Sequence, residues 1–284
     1  MIIDGRAIAQ KISDRLATRI KDLKTKGVTP KLVIVKVGND LRTQTYIRVK
    51  QLAAKKLGIK TEVKAFDAQT SATQLDSEVR QLITDLNQDP TVHGIIVQLP
   101  IEADLDDQEL IDLITPNKDV DGLTATNQAA LEAGRELMVP ATPLGIISLL
   151  NNENIPISNS KVALVGLGRL VGRPLSFMLE ARGAELKVAN SKTTNLKAIT
   201  DDADIVIAAS GQPHLIKADM VKKSSVLIDV GLSEIDGQLT GDIDPAAKEK
   251  ASMATQTTGG VGPMTVISLL SNVVLAAEIQ ASLQ

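Results

Sequence analysis

The chain has 284 residues, enough for about two domains with a substantial core in each. It carries 31 basic and 34 acidic residues without blocks of either sign, so the net charge of −3 makes no electrostatic case for a nucleic-acid partner. We find no apolar run long enough to span a bilayer, no basic leader ahead of an apolar core, and no cysteine for disulfide or thiolate chemistry; a cytoplasmic protein without membrane attachment is expected.

In chain order, apolar residues at 8, 12, 16, 20 and 23 follow helical spacing and predict a helix from Asp4 to Leu23, ended by Gly27. Lys31 to Val37 is a short run rich in β-branched residues, hence a strand, closed by the turn Gly38-Asn-Asp40. A helix follows that carries the chain's only tyrosine, Tyr46, four residues ahead of Lys50. That spacing puts both side chains on one face, and Ala53, Ala54 and Leu57 continue an apolar stripe. Lys50 is then either a buried amine that gives up its proton readily, fit for acid/base work, or a lysine that snorkels to solvent past a core tyrosine. On spacing alone the second, plainer reading is favoured. The only other aromatics are Phe66 and Phe177, so Tyr46 is nearly the sole candidate for stacking on a flat ligand.

Thr61 to Phe66 reads as a second strand, Thr73 to Leu86 as a helix entered through Ser71 or Thr73, and Gly94 to Pro100 as a third, buried strand. Alternating strands and helices predict a parallel sheet with right-handed crossovers, in which ligands collect at the carboxyl ends of the strands. Gln98 lies at one such end, and the first strand stops just before the Tyr46 helix, so both ends can converge on one crevice. Whether Gln98 is a buried amide with a lysine or ligand partner, or simply exposed where the strand leaves the sheet, stays open at this level. A short helix is expected over Leu105 to Leu113. The segment Pro116-Asn-Lys-Asp-Val-Asp-Gly122 then breaks regular structure, and its two aspartates read locally as a capped turn, with Asp121 or Thr124 starting the next helix. No metal site is expected, because no further ligand cluster lies nearby; His93 and His214 are isolated and read as structural.

A second unit opens with the loop Pro140-Ala-Thr-Pro-Leu-Gly145, a helix from Gly145 to Leu150 and a polar connector from Asn151 to Ser160. The apolar run 162–165 reaches Gly166-x-Gly168-x-x-x-Gly172, and a helix runs on to Arg182. Glycines between a strand and a helix N-terminus suit a dinucleotide pyrophosphate. Glu185 to Ala189, Ala203 to Ala209 and Ser225 to Val230 read as further strands. After the second strand an NAD site would usually carry an acid for the ribose 2′-OH, but here stands Asn190-Ser-Lys-Thr193, which favours NADP over NAD, with NAD use left open. The glycine cluster Thr258 to Thr265 leads into an apolar helix from Met264 to about Ala281.

Together the motifs Tyr46-Ile-Arg-Val-Lys50, Ile95-Ile-Val-Gln-Leu-Pro100, Lys118-Asp-Val-Asp-Gly122, Pro140-Ala-Thr-Pro-x-Gly145, Val171-Gly-Arg-Pro174, Asp229-Val-Gly231 and Gly259-Gly-Val-Gly-Pro-Met-Thr265 resemble the bifunctional methylenetetrahydrofolate dehydrogenase/cyclohydrolases over essentially the whole chain. The resemblance implies an α/β protein of two domains: a parallel-sheet catalytic domain over 1–139, completed by the helix 264–284, and a Rossmann-type NADP domain over 140–263. It implies NADP-dependent oxidation of 5,10-methylenetetrahydrofolate followed by hydrolysis of the methenyl product to 10-formyltetrahydrofolate, and a homodimer joined through the cofactor domains. It implies a folate cleft between the domains with Lys50, Tyr46, Gln98 and Asp121 as the catalytic set, and substrate contacts from Tyr46, Gln98, Leu99, Asp121, Gly260, Gly262 and Pro263. Cofactor contacts are implied at Gly166, Leu167, Gly168, Arg169, Gly172, Ser191 and Leu232. It thereby reverses the local preferences at Lys50 and Asp121.

Three departures stand out. The family usually reads Gly-Arg-Ser at the glycine turn, its arginine holding the 2′-phosphate, whereas this turn is Gly166-Leu-Gly168; Arg169, Arg173 or Lys192 would have to substitute. The usual cysteine between Pro140 and Thr142 is Ala141, and Thr255-Gln-Thr-Thr258 replaces a proline-rich lead-in. Short-chain dehydrogenases also pair tyrosine with a lysine four residues on, but after their glycine turn; here the pair precedes it by about 120 residues, which excludes that class. A dinucleotide-binding protein without turnover, or another two-domain dehydrogenase of amino-acid or shikimate type, are the alternatives.

Overall fold

The computed structural model describes residues 1–283. In chain order its elements are β1 (Ile2–Ile3), α1 (Gly5–Thr25), β2 (Lys31–Val37), α2 (Leu41–Leu57), β3 (Lys60–Phe66), α3 (Ala72–Gln88), β4 (Gly94–Val97), α4 (Asp107–Asp112), α5 (Ala125–Glu132) and α6 (Ala141–Asn152). They continue as β5 (Lys161–Val165), α7 (Gly172–Ala181), β6 (Glu185–Ala189), α8 (Lys197–Thr200), β7 (Ile205–Ala208), β8 (Val226–Asp229), β9 (Leu232–Ile235), β10 (Gln238–Gly241), α9 (Pro245–Lys250), β11 (Met253–Thr255) and α10 (Val261–Ser282). The chain divides into two compact units. One takes Lys11–Ala141 and the chain from Val266 onward; the other takes Met1–Gln10 and Thr142–Thr265.

The first unit holds a parallel three-stranded sheet in the order β3-β2-β4. Leu32, Val33, Ile34 and Val35 of β2 are fully buried in succession, as a central strand covered on both faces requires. α3 buries Leu75, Val79, Ile83 and Leu86 at helical spacing onto β2 and β4 residues Val33, Val35, Ile95 and Val97. The Asp40 carboxylate caps α2 by accepting from Thr43 N at 2.7 Å.

α10 completes this core with Leu269, Leu270, Val273, Val274, Ala276 and Ala277. The buried Asn272 donates through Nδ2 to Val120 O at 2.9 Å and Val139 O at 2.8 Å, fastening the helix to the loop that ends in Gly122. One sequence expectation is corrected here: by length and composition this 22-residue helix does qualify as a membrane span. Its apolar residues serve the protein core, since 56% of its most hydrophobic window is buried inside the protein.

The second unit holds a six-stranded parallel sheet in the order β1-β11-β8-β7-β5-β6. After β5 the chain places β6 on one side and returns to place β7 on the other, so the topological switch point lies at the carboxyl ends of β5 and β7. α6 begins at Ala141, four residues earlier than the loop reading of 140–145 allowed, because Pro143 falls in the first turn, where its missing N–H removes no helical bond. β1, β11, α9 and the hairpin β9–β10 had no counterpart in the sequence reading. Asp236 and Gly237 take positive φ (50° and 76°) between β9 and β10, the form that a two-residue Asp-Gly hairpin turn demands.

Candidate active site

At the carboxyl end of the three-stranded sheet, α2 turns Thr43, Ile47 and Ala54 inward, and Lys50 falls on that stripe. The lysine does not snorkel. Its Nζ donates to Gln98 Oε1 at 2.9 Å, one residue past β4. Gln98 is 9% exposed; its backbone N donates to Val35 O and its Nε2 to Leu99 O, both at 2.8 Å. With the amide nitrogen committed to a carbonyl, Oε1 has to face the lysine. Tyr46, read locally as a core residue, is instead 56% exposed one turn before Lys50, with its ring open to a ligand.

Burial lowers the Lys50 pKa below the ordinary lysine value, against the opposing pull of the Asp121 charge. Asp121 is partly open to solvent but hemmed in by protein. Burial raises its pKa, Lys50 pulls it down, and Asp119 pushes it up again. The two groups thus sense each other's charge, one from α2 and one from the turn at 118–122.

That turn assigns its aspartates differently from the local reading. Thr124 caps α5, accepting from Asn127 N. The carboxylate that organises the turn is Asp119, 1% exposed, which accepts from Leu123 N at 3.1 Å, Thr124 N at 2.8 Å and Asn127 Nδ2 at 2.8 Å. Lys118 is locked beside it, donating to Leu86 O and Asp89 O. Asp121 makes no hydrogen bond to another described residue. A Cβ at Gly122 would approach Pro140 N to 2.6 Å, so the turn closes only with glycine there. Asp119 carries no local signal as a site-shaping residue: its donors lie four, five and eight residues on, beyond the two residues that an Asx turn reaches.

In the six-stranded unit the glycine turn sits at the switch point. A Cβ at Gly166 (φ 103°) would collide with Ala209 O, and one at Gly172 with Gly166 O, so both glycines serve the protein's own packing. Gly168 faces open space, room for a pyrophosphate beside the N-terminus of α7. Register pairs Val165 with Ala189, so Leu167 and Ser191 each stand two residues beyond a paired strand end, both exposed. The loop after β6 carries no acid and is shaped by Asn190 N donating to Thr193 Oγ1 and Lys192 N to Asn190 Oδ1. Arg173 lies over the Phe177 ring at 5.8 Å, and Arg169 follows Gly168 in the turn. Leu232 opens β9 and is exposed. Gly260, Gly262 and Pro263 lie at the start of α10, in this unit, while Leu99 belongs with Lys50, Gln98 and Asp121 in the other.

A doubly wound sheet with a glycine turn at its switch point, joined in one chain to a unit built round a buried lysine, defines a dinucleotide-binding α/β protein with a catalytic unit of its own. Residues 3–121 match the family model for the tetrahydrofolate dehydrogenase/cyclohydrolase catalytic domain, and residues 140–281 that for the family's NAD(P)-binding domain. Bifunctional protein FolD of Lactobacillus helveticus is 40% identical over 96% of both chains. The crystal structure of the bifunctional FolD methylenetetrahydrofolate dehydrogenase/cyclohydrolase of Campylobacter jejuni superposes with a TM-score of 0.94 at 36% identity, over 98% of this chain and 99% of that one. The Trypanosoma brucei methylenetetrahydrofolate dehydrogenase-cyclohydrolase, solved with NADP and an inhibitor, gives 0.91 at 30% identity, over 98% and 97%. The chain belongs to the tetrahydrofolate dehydrogenase/cyclohydrolase family.

Proposed function

We propose that the protein oxidises 5,10-methylenetetrahydrofolate to 5,10-methenyltetrahydrofolate with NADP, and hydrolyses the product to 10-formyltetrahydrofolate. The observation that carries this reading is the Lys50–Gln98 hydrogen bond at the carboxyl end of the sheet, with Asp121 near enough to act on the lysine's charge. NADP, when held at the glycine turn, supplies the two-electron acceptor for the first step. Gly168, the N-terminus of α7 and the acid-free loop at Ser191 fit its pyrophosphate and 2′-phosphate.

In the hydrolysis, burial favours the neutral Lys50 amine, which takes a proton from the water adding to the methenyl carbon. The ammonium so formed returns that proton to N5 as the carbon–N5 bond breaks, leaving the formyl group on N10; the second proton of the water is released. Gln98 is suited to hold such a lysine because a neutral amide oxygen accepts from the amine and from the ammonium alike, whereas a carboxylate would fix the charged form. Asp121 accepts hydrogen bonds from the pterin amide and amino groups, and the exposed Tyr46 ring orients the pterin.

The reading extends to a cytoplasmic homodimer joined through the NADP unit. Support for the dimer comes from the β9–β10 hairpin, which exposes Leu232 and Leu239 on one face and Ile235 on the other. An amino-acid or shikimate dehydrogenase is disfavoured by the match of residues 3–121 to the folate-family catalytic domain. The test is a nicotinamide-coupled absorbance assay with methylenetetrahydrofolate, run separately with NADP and NAD. Turnover with NADP is expected, and no turnover with either nucleotide would refute the reading.

A further inference from the structure

The six-stranded unit encloses an ionic cluster that the proposed chemistry does not use. Asp242, directly after β10, is 0% exposed, and Asp229, the last residue of β8, is 3% exposed. Asp229 Oδ1 accepts from Asp242 N at 2.8 Å, and Asp229 Oδ2 receives Lys248 Nζ at 2.5 Å. Lys248 Nζ also donates to Thr257 Oγ1 at 2.8 Å. One enclosed carboxylate, Asp229, takes the ammonium, and the second, Asp242, is tied to it through its backbone N, an arrangement that burial opposes: desolvation raises the Asp229 pKa despite Lys248, and the neighbouring Asp242 charge raises it further. A hydrophobic pair of similar volume would fill the space at lower cost, so the reason for the cluster has to lie in what its free acceptors hold.

Those acceptors reach the ligand edge of the sheet. Asp242 Oδ2 accepts from Ser210 N at 2.6 Å, Ser210 Oγ at 2.9 Å and Gly211 N at 3.0 Å. Ser210 and Gly211 belong to the loop that follows β7, the strand beside β5 at the switch point, and Ala209 is the residue against which the Gly166 turn closes. The same carboxyl group lies over Gly231, just past β8, where any Cβ would collide with it. Asp242 Oδ1 is buried without a hydrogen-bond partner, and every side-chain bond of this carboxylate goes through Oδ2 to the Ser210–Gly211 loop. In a doubly wound sheet the 2′-position of the adenosine is read after the second strand, here beside Ser191; the loops after β7 and β8 therefore border the other, nicotinamide half.

We propose that Asp242 is a positioning residue for the nicotinamide half of the dinucleotide, its carboxylate holding the Ser210–Gly211 loop against Gly231 while its backbone N is anchored on the Asp229 carboxylate of the Asp229–Lys248 pair. This rests on the NADP reading above. Asp242→Asn keeps the side chain's shape but weakens three charge-assisted bonds, and the new amide N–H₂ meets no acceptor at the Oδ1 position. It is expected to raise the Kd for NADP by about tenfold, while hydrolysis of methenyltetrahydrofolate, which consumes no nucleotide, keeps its kcat/KM. Ser210→Ala removes one of the three donors and should raise the same Kd about two- to threefold; in the double variant the two effects should not add.

Titration of NADP into the parent and both variants, alongside the hydrolysis assay, decides the matter. If the parent binds NADP and the variants bind it equally well, or if hydrolysis falls in step with binding, the positioning role is wrong. A parent that binds no NADP would overturn the functional reading and this proposal with it. Should Asp242→Asn not fold, Ser210→Ala alone carries the test, and unchanged NADP affinity in it refutes the proposal.

Discussion

Lys50 donates a hydrogen bond to Gln98 across 48 residues of sequence, from the inner stripe of α2 to the residue after β4, and its ammonium is further biased by Asp121. Two opposed influences act on one amine. Burial depresses its pKa, which makes the neutral amine easier to reach, and the Asp121 charge opposes the depression. Removing that charge should be visible in the rate.

Asp121→Asn is therefore expected to move the pH dependence of methenyltetrahydrofolate hydrolysis. Without the carboxylate the ammonium loses its only resolved stabilising charge, so the Lys50 pKa falls further below 10.5 and the base-dependent limb of the profile shifts to lower pH. The same substitution presents a donor to the pterin's donors, at a cost on the order of 1–3 kcal/mol, or about 5- to 150-fold in folate affinity. A pH–rate profile and a folate titration check both effects. Unchanged affinity would reduce Asp121 to a turn residue.

The same two groups leave a mark on stability. A lysine whose folded-state pKa lies below its unfolded value binds fewer protons when folded, so its unfavourable contribution is complete at low pH and is relieved as pH rises through the window between the lowered value and 10.5. For Lys50→Met, measured against the parent by urea unfolding, the stability gain should accordingly be larger at pH 7 than at pH 10. An equal gain at both pH values would mean the amine is not perturbed.

Asp119→Ala should damage the turn rather than the chemistry directly. It leaves Leu123 N, Thr124 N and Asn127 Nδ2 without their acceptor in the interior, a loss of roughly 3 kcal/mol. Thermal unfolding of the variant should fall by about 6–12 °C, with NADP affinity retained in the separate six-stranded unit. A melting temperature within a degree of the parent would contradict the buried network.

Much of this was legible in the sequence where a signal is local. The unbroken apolar run at β2 and the strand at β6 were placed with their observed ends, and the glycine turn was placed between β5 and α7. β1 and β11 are two and three residues long and exist by pairing with each other and with β8, so no periodicity announces them. The β9–β10 hairpin did carry a readable Asp236-Gly237 signal, hidden by strands whose residues are mostly exposed on both faces. Asp119 and Asp121 are alike locally; what separates them is Gly122 packing on Pro140 and Asn272 holding Val120, contacts made by residues far along the chain.

Cofactor choice depends on the paired strand ends. Leu167 and Ser191 each stand two residues past the paired Val165 and Ala189, which puts an arginine at 167 on the same sheet edge as the 2′-phosphate proposed beside Ser191. A charge-assisted hydrogen bond contributes roughly 1.5–3 kcal/mol, so Leu167→Arg should raise the preference for NADP over NAD about ten- to a hundredfold. The ratio of kcat/KM values with the two nucleotides measures it. No gain in a well-folded variant would mean that Ser191 and its basic neighbours do not hold the phosphate.

The most direct test of the lysine-centred site is Lys50→Met, assayed for hydrolysis of methenyltetrahydrofolate and titrated with NADP in the same preparation. The substitution keeps an unbranched apolar stem and removes the amine. Hydrolysis at no more than the uncatalysed rate, together with NADP affinity equal to the parent's, is the expected result. Hydrolysis at the parent's rate would contradict it and move the acid/base chemistry to another group.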